Sequence, residues 1–369
     1  MSVLPASSLR AERVSRAPRT KIPVAVLGAT GAVGQTFVQL LEHHPWFRLT
    51  AVAASERSAG KKYGDAARWI GGKMPGGAAG LPVLPCDPGA FSESVVFSAL
   101  DAGVAAAIEA AFARVGRVVL SNARSFRMES DVPLVVPEIN ADHLDLLDGQ
   151  RAARGWDGAI VTNANCATIV IAMTLAPLHE AFGVGQVFAM TMQAVSGAGY
   201  PGVPSLDILG NVIPFIAGEE EKIESETRKI LGRLGEGAVS PAPFEVSAQA
   251  NRVPVEHGHT ACLAVGLNER ATPDEASAAL RAWRGGVDDL SLPSAPKPPL
   301  IVTDAPDRPQ PRRDAAAGEG MAVTIGRVRR DPILDLRLVA TGHNTIRGAA
   351  GASILNAELM VARGMIRGA

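Results

Sequence analysis

The run Ile22-Pro23-Val24-Ala25-Val26-Leu27-Gly28-Ala29-Thr30-Gly31-Ala32-Val33-Gly34 decides the fold of the first part of the chain. Its apolar first half predicts a short buried strand, and a helical pattern over residues 36–44 follows the glycines. Glycine permits a tight turn and lets the backbone approach a pyrophosphate, which then lies at the helix N-terminus. The order strand, glycine turn and helix therefore predicts the first unit of an α/β dinucleotide-binding fold. The residues predicted to hold its phosphates are Gly28, Thr30, Gly31, Ala32, Val33 and Gly34.

A second predicted strand, residues 48–54, ends where such folds meet the adenosine ribose of a bound dinucleotide. An acidic residue there accepts a hydrogen bond from the ribose of NAD, whereas cations and hydroxyls bind the 2′-phosphate of NADP. The segment that follows predicts a 2′-phosphate pocket through four residues, Ser55, Arg57, Ser58 and Lys61. Glu56 would favour NAD if it pointed inward, and a solvated turn is the alternative to any pocket. We expect NADP(H) as the cofactor.

Strands and helices continue to alternate through residues 95–100, 105–115 and 118–120. Such alternation is typical of a parallel sheet, which binds ligands at the carboxyl ends of its strands. Arg127 lies in the polar loop 121–127, directly after one of these strands. It is a candidate contact for an anion, and an ordinary solvated arginine is the alternative.

The polar turn Asn163-Ala164-Asn165-Cys166-Ala167-Thr168 leads into an apolar run that Gly183 ends. This pattern predicts a helix with Cys166 in its first turn. Unpaired N–H groups and the helix dipole favour an anion there, so we expect a lowered thiol pKa and a cysteine nucleophile. A small buried cysteine with only a packing role is the alternative.

The second half of the chain adds polar residues at the ends of further predicted elements. Gln193 lies near the end of a predicted strand, residues 186–194, before the Gly/Pro-rich loop 196–204. The charged segment 218–229 predicts a helix on which Glu219 and Lys222 share one face. In isolation, the preferred interpretation of such a segment is a solvated helix with internal ion pairs.

Arg252 and His259 flank a predicted turn and could project into one cleft. Histidine carries protons near neutral pH, and on chemistry alone either His257 or His259 would serve. Residues 285–320, rich in Pro, Asp and Arg, predict an excursion away from the compact core that could reach a neighbouring subunit. A final strand over 334–339 and a terminal helix over 352–363 complete the pattern.

Composition bounds the possible functions. A chain of 369 residues predicts two domains, and 36 basic against 37 acidic residues give no bulk charge for nucleic acid or membrane binding. No apolar run reaches the ~20 residues of a membrane span. Three widely spaced cysteines argue against a disulfide framework or a zinc cluster. Cys86 and Cys262 have no acid–base partner beside them in the sequence and are interpreted as structural. Residues 1–20 are basic and predict a disordered tail, with a transit peptide as the less favoured interpretation.

Longer strings resemble those of the aspartate-semialdehyde dehydrogenases, most closely the archaeal and fungal branch. They are GATGAVGQ (28–35), ASERSAGKKYGD (54–65), PEIN (137–140), the pair Asn165-Cys166, QAVSGAGYPGVPSLDILGNVIPFI (193–216), GEEEKIE (218–224), RVPVEHGHT (252–260) and HNTIRGAAG (343–351). The resemblance implies a Rossmann-type NADP-binding domain of residues 21–164 plus 342–369. It also implies an α+β catalytic and dimerisation domain of residues 165–341, in a cytoplasmic homodimer or homotetramer.

Carried over position by position, the resemblance implies a role for each candidate residue. Cys166 matches the nucleophile, and His259 rather than His257 matches the acid–base residue. The matching substrate residues are Arg252 and Glu219 for the α-carboxylate and α-ammonium, Arg127 and Lys222 for phosphate, and Gln193 and Asn165 for positioning. Asn344 matches a contact to the nicotinamide portion. One departure is Ala167, where the family usually has Ser or Thr.

The implied reaction is the NADPH-dependent reduction of L-aspartyl 4-phosphate to L-aspartate 4-semialdehyde through a Cys166 thioester, with no metal. Two alternatives use the same scaffold. An acyl-CoA reductase of the malonyl- or succinyl-CoA type would keep the thioester chemistry, although Glu219 favours a substrate that carries an ammonium group. A dinucleotide-binding regulator without catalysis is the other alternative, and the retained Cys166 and His259 oppose it.

Overall fold

The computed structural model describes residues 17–366, so the prediction for residues 1–16 of the tail lies outside the described residues. The first sheet has six parallel strands in the order β3-β2-β1-β4-β5-β6. They are β1 (Ile22–Leu27), β2 (Phe47–Ala53), β3 (Val83–Leu84), β4 (Val95–Ser98), β5 (Val118–Ser121) and β6 (Ala159–Thr162). From the centre of the sheet, β1, β2 and β3 follow one another towards one side, and β4, β5 and β6 follow one another towards the other. Ligands of such sheets bind at this reversal point, outside the carboxyl ends of the strands.

Helices of this first part connect the parallel strands. They are α1 (Ala32–Leu41), α2 (Tyr63–Ala66), α3 (Gly76–Ala79), α4 (Ala102–Arg114), α5 (Pro137–Asn140) and α6 (Leu146–Arg154). The helix predicted over residues 36–44 begins earlier, at Ala32, because Gly31 is its N-cap and the glycine turn passes directly into its first turn. Strands β1, β4, β5 and β6 are almost entirely buried because helices cover the sheet, whereas the first half of β2 is partly exposed.

The helix that follows β6 is α7 (Cys166–Phe182), and it crosses the centre of the second core. Every residue from Ala167 to Leu178 is buried, as expected for a helix that is apolar on all sides. The predicted end at Gly183 is confirmed, since Gly183 adopts φ +64 and its N–H donates to the carbonyl of His179.

The second sheet is mixed, with the order β10-β7-β11-β14-β13-β12. The strands of this part, including the separate β8–β9 hairpin, are β7 (Val184–Gln193), β8 (Arg233–Leu234), β9 (Val239–Ser240), β10 (Glu245–Arg252), β11 (His259–Leu267), β12 (Leu300–Thr303), β13 (Val323–Arg330) and β14 (Leu336–Gly342). The helices are α8 (Ser205–Ile208), α9 (Glu219–Ile230), α10 (Pro273–Ala282) and α11 (Pro311–Asp314). A parallel sheet with helices beside a mixed sheet confirms the predicted α/β class.

The end of the chain returns to the first sheet. After β14, one stretch of π-helix (Ile346–Ala350) leads into α12 (Gly351–Ala362), which is buried throughout. Side chains of α12 such as Ile354 and Leu355 share a core with Val24 of β1. The terminal segment therefore packs with the first sheet, while β14 belongs to the second.

The prediction that residues 285–320 lead away from the compact core is wrong. Val287 and Leu292 are buried in the same core as β1 and α12. The Ser294 hydroxyl donates to the buried carboxylate of Glu358 at 2.6 Å, and the segment then adds β12 to the edge of the second sheet. Proline and charge dominate its composition, but a few apolar residues are enough to anchor it.

Candidate active site

Three strand termini meet at one edge of the second sheet. β7 and β10 are parallel, and their last residues, Gln193 and Arg252, are partners in register. β11 is antiparallel to β7, so its first residue, His259, lies at the same edge. Arg252 and His259, which were predicted to project into one cleft, lie close together, because both side chains bind the backbone of Ala194. Arg252 Nη1 donates to the Ala194 carbonyl at 2.8 Å, and the Ala194 N–H donates to His259 Nδ1 at 3.1 Å.

The first turn of α7 brings Cys166 to the same edge. Asn165 is the N-cap of the helix, and its Oδ1 accepts hydrogen bonds from the N–H groups of Ala167 at 2.9 Å and Thr168 at 3.1 Å. Cys166 Sγ then lies 3.1 Å from His259 Nε2. His257 is half-exposed and stacks on His343 at 5.1 Å between ring centroids. The geometry therefore pairs the thiol with His259 and not with His257.

The expectation of a lowered thiol pKa is wrong. Burial raises the pKa of Cys166 to about 12, and the negative charge of Glu219 adds to this effect. Arg127, Arg252 and the N–H of Ala167 act in the opposite direction without overcoming burial. A buried anion loses the solvation that water provides, and this cost exceeds the benefit of the helix N-terminus.

His259 is neutral in this environment. Burial, together with the nearby charge of Arg252, lowers its pKa to about 3. A backbone N–H can only donate, so the hydrogen bond from Ala194 makes Nδ1 an acceptor. The neutral ring therefore carries its proton on Nε2, which faces Cys166.

Glu219 joins three of the other predicted site residues. Its Oε1 accepts from Asn165 Nδ2 at 2.8 Å, and its Oε2 accepts from Lys222 Nζ at 3.1 Å. Burial alone would raise its pKa, but the ammonium of Lys222 and the hydrogen bonds from Asn165, Lys222 and Gln193 outweigh burial and lower it. Glu219 is thus a buried carboxylate. The alternative of a solvated helix is wrong for this face of α9, although the internal ion pair of Glu219 with Lys222 is present.

Arg127 reaches the site from the first part of the chain. It is buried, its Nη1 donates to Glu226 Oε1 at 3.0 Å, and its Nη2 donates to the carbonyl of Asn122 at 2.7 Å. Nε has no hydrogen-bond partner among the described residues. Its charge acts on Cys166, so the alternative of a solvated arginine is wrong.

The π-helix after β14 closes the other side of the nucleophile. Gly348 lies so near Cys166 that an added Cβ would be 2.5 Å from the Cβ of Cys166. Asn344 is buried, with Oδ1 accepting from the N–H of Gly258 at 2.9 Å and Nδ2 donating to Ser196 Oγ at 2.8 Å. In the structure, the Asn344 side chain thus forms hydrogen bonds to the loop of Ser196 and to the loop of Gly258, which directly precedes His259.

A cavity of about 780 Å³ lies outside the carboxyl ends of β1 and β4. Of the predicted cofactor residues, Gly28, Thr30, Gly31, Ser55 and Arg57 line it, together with Glu56. Ser58 and Lys61 do not line it, nor do Ala32, Val33 and Gly34 in the first turn of α1. Gly28 has φ +71, and a Cβ there would lie 2.4 Å from the carbonyl oxygen of Ala99.

Sequence reasoning missed three residues of this site: Glu226, Lys229 and Gly348. Glu226 was detectable, because Glu219, Ile223, Glu226 and Ile230 recur at helical spacing and all four are buried. Lys229 donates to three backbone carbonyls of the loop that carries Arg127. The sequence around Gly348 does not indicate its role, because Cys166, against which it packs in the fold, lies far away along the chain.

Within residues 17–366, no group of three or more His, Cys, Asp or Glu side chains is arranged to hold a metal ion. No helix in the same range has the length and apolar character needed to span a membrane. A dinucleotide cavity on a parallel sheet and a cysteine–histidine pair on a second domain define a thiol-dependent nucleotide-binding dehydrogenase.

Comparison with known proteins identifies the family. The model described as semialdehyde dehydrogenase, NAD binding domain, matches residues 23–147, and the model described as semialdehyde dehydrogenase, dimerisation domain, matches residues 175–347. The chain belongs to the aspartate-semialdehyde dehydrogenase family, as the sequence resemblance predicted.

The relatives include proteins from archaea and fungi. The aspartate-semialdehyde dehydrogenase of Methanothermobacter thermautotrophicus is 52% identical, over 92% of this chain and 99% of its own. That of Archaeoglobus fulgidus is 51% identical, over 92% of this chain and 97% of its own. The crystal structure of the Candida albicans aspartate semialdehyde dehydrogenase with NADP has a TM-score of 0.87 and 43% identity, and covers 94% of this chain and 100% of its own.

Proposed function

We propose that this chain is an NADP-dependent aspartate-semialdehyde dehydrogenase, which forms L-aspartate 4-semialdehyde from L-aspartyl 4-phosphate. The observation that carries the proposal is the Cys166–His259 pair, 3.1 Å apart, among four charged side chains. These side chains are Arg127, Glu219, Lys222 and Arg252. Their combination suits a small substrate with a carboxylate, an ammonium and an acyl phosphate.

The residues at the reversal point of the first sheet fit NADP(H). A cavity of about 780 Å³ suits a molecule of that size, and the backbone at Gly28 approaches Ala99 too closely for any side chain. Gly28, Thr30 and Gly31 would hold the pyrophosphate at the start of α1, while Ser55 and Arg57 would hold the 2′-phosphate. The bound cofactor supplies the hydride that reduces the acyl carbon.

Cys166 forms the covalent bond. Its thiolate attacks the acyl carbon of aspartyl phosphate, the carbonyl π electrons move to oxygen, and collapse of the tetrahedral species expels phosphate and leaves a thioester. The Nε2–H of His259 is a donor for the developing oxyanion, whereas the N–H groups of Ala167 and Thr168 already donate to Asn165 Oδ1. Arg127 and Lys222 supply positive charge for the departing phosphate.

Recognition of the amino acid also activates the nucleophile. Arg252 presents a planar guanidinium to the α-carboxylate, and Glu219 pairs with the α-ammonium. Glu219 raises the pKa of Cys166 through its negative charge. An ammonium group bound to Glu219 offsets that charge, so the thiolate becomes easier to form when substrate is present.

The oligomeric state and the location of the protein are part of the same proposal. We expect a homodimer or homotetramer in the cytoplasm, without nucleic acid or membrane partners. Apolar side chains exposed on the second part of the chain support self-association, notably Leu206 at 91% and Phe215 at 66% exposure.

The reaction is tested in the reverse direction with purified protein. We expect NADP reduction when L-aspartate 4-semialdehyde and inorganic phosphate are both present, and none without phosphate. Cys166→Ala should abolish turnover while NADP binding, measured by calorimetry, survives. Turnover independent of phosphate, or NADPH oxidation with malonyl-CoA but not with aspartyl phosphate, would overturn the proposal.

A further inference from the structure

Glu226 is a buried carboxylate that the proposed reaction does not use, yet it contacts two parts of the site at once. Its side chain is 2% exposed. Oε1 accepts from Arg127 Nη1 at 3.0 Å, and Oε2 accepts from the backbone N–H of Asn165 at 2.6 Å. Each oxygen therefore binds a different segment of the chain.

The contact to Asn165 fixes the start of the cysteine helix. Asn165 caps α7 through Oδ1 and binds Glu219 through Nδ2. Its backbone N–H precedes the helix and has no partner within it. Glu226 accepts that hydrogen bond, so the residue directly before Cys166 is held by both its side chain and its backbone.

The contact to Arg127 fixes a guanidinium. Nη1 binds Glu226 and Nη2 binds the carbonyl of Asn122, so the plane of the group has two anchors. Its Nε has no hydrogen-bond partner among the described residues, so the guanidinium keeps donor capacity beyond these two anchors. Lys229, one turn further along α9, donates to the carbonyls of Arg127 and Val132 and fixes the same loop.

A carboxylate beside an anion-binding arginine reduces the net positive charge that phosphate meets. Glu226 therefore weakens the electrostatic attraction between Arg127 and phosphate. If Glu226 nevertheless favours turnover, it must do so by fixing the positions of the groups that it binds. Both of its contacts are charge-assisted, which makes them short and directional.

We propose that Glu226 is a positioning residue that sets the nucleophile-bearing end of α7 and the guanidinium of Arg127 relative to one another. One rigid carboxylate then determines the distance between the sulfur that attacks and the cation that receives phosphate. This inference rests on the proposed function, because it takes Arg127 as a phosphate contact.

Two substitutions separate the two contacts. In Glu226→Gln the amide oxygen can still accept from Asn165, but the NH2 group cannot accept from Arg127. In Glu226→Ala both contacts are lost. Glu224→Gln is the matched control, since Glu224 lies on the same helix and its Oε1 accepts a backbone hydrogen bond from Ala248, away from the site.

The test is the phosphate-dependent reduction of NADP by the full chain, with KM for phosphate, KM for NADP and kcat measured separately. For Glu226→Gln we expect KM for phosphate to rise about tenfold with KM for NADP unchanged. For Glu226→Ala we expect the same rise in KM for phosphate and also a fall of about 100-fold in kcat. Glu224→Gln should stay within about twofold of the wild type in all three constants.

A merely structural role predicts a different result. Partial misfolding would lower the amount of active protein in both variants and leave every KM at its wild-type value, and that outcome overturns the inference. Wild-type kinetics in Glu226→Gln would overturn it as well. Should Glu226→Ala not fold, the KM for phosphate in Glu226→Gln decides alone. Failure of the proposed function is distinct, because the wild-type protein itself would then show no dependence on phosphate.

Discussion

His259 Nε2 lies 3.1 Å from Cys166 Sγ, while Nδ1 of the same ring accepts the backbone N–H of Ala194 at 3.1 Å. The hydrogen bond from Ala194 to Nδ1 determines whether Nε2 is a donor or an acceptor towards the sulfur. A neutral imidazole with Nδ1 occupied by a donor carries its proton on Nε2. His259 therefore meets the sulfur as a hydrogen-bond donor, which stabilises a thiolate once the thiol proton has left.

We predict that the ring of His259 is neutral with its proton on Nε2 throughout the neutral pH range. Burial lowers its pKa to about 3, so the imidazolium form appears only in strong acid. Long-range proton–nitrogen correlation spectra of protein labelled with [15N]histidine distinguish the two tautomers, and His259→Gln assigns the signal. A ring protonated on Nδ1 would contradict the prediction.

Removal of the negative charge at Glu219 should make Cys166 more reactive although it weakens turnover. Glu219 raises the pKa of Cys166, so Glu219→Gln lowers that pKa and increases the thiolate fraction at any pH below it. We expect alkylation of Cys166 by neutral iodoacetamide to be severalfold faster at pH 8 in Glu219→Gln than in the wild type.

The control for this experiment is Glu221→Gln, on the same helix but not among the charges that act on Cys166. Cys166→Ala measures the background from Cys86 and Cys262, which are both half-buried. Equal alkylation rates in Glu219→Gln and Glu221→Gln would show that Glu219 has no electrostatic effect on the sulfur.

Much of the first sheet could be predicted from sequence because its signals are local. The apolar run 22–27, the glycine turn and the following helix are each encoded by neighbouring residues, and the structure confirms their order. Residues 285–320 were misjudged because composition reports the average of a segment. Two apolar side chains, Val287 and Leu292, decide where that segment packs.

The sequence indicated part of the candidate site but not its electrostatics. It singled out Cys166 and His259 as candidates, and the fold brings the first turn of α7 beside the start of β11. The direction of the Cys166 pKa was wrong, because the helix N-terminus is visible in sequence whereas the burial of the sulfur is not. Helical spacing places Glu226 on the buried face of α9, but its partners lie 61 and 99 positions away, and no local pattern identifies them.

Arg57 should distinguish NADPH from NADH. It lines the cavity beside Ser55 and Glu56, whereas Lys61 lies in the adjoining turn and does not line it. We expect Arg57→Ala to raise the Kd for NADPH about tenfold and the Kd for NADH less than twofold, because only NADPH carries the 2′-phosphate. Lys61→Ala is the control and should change both values little. Equal weakening of both cofactors by Arg57→Ala would remove the 2′-phosphate assignment.

Removing one partner of the buried ion pair between Arg347 and Glu138 should strongly destabilise the protein. Nη1 and Nη2 of Arg347 donate to the two carboxylate oxygens of Glu138 at 2.6 and 2.8 Å, and both side chains are almost fully buried. Removing one partner of such a pair leaves an uncompensated charge, which costs about 3–5 kcal/mol. We therefore expect Glu138→Ala to lower the free energy of unfolding by about that amount in urea titrations.

The double variant Glu138→Leu, Arg347→Met removes both charges and should recover much of this loss, because no buried charge then remains unpaired. Arg151→Ala, which breaks the surface pair with Asp148, should change stability little. A double variant as unstable as the sum of its single substitutions would indicate that packing, and not charge, is what the pair contributes. Because Arg347 directly precedes Gly348, which packs against Cys166, we expect turnover in Glu138→Ala to fall even at temperatures where the protein stays folded.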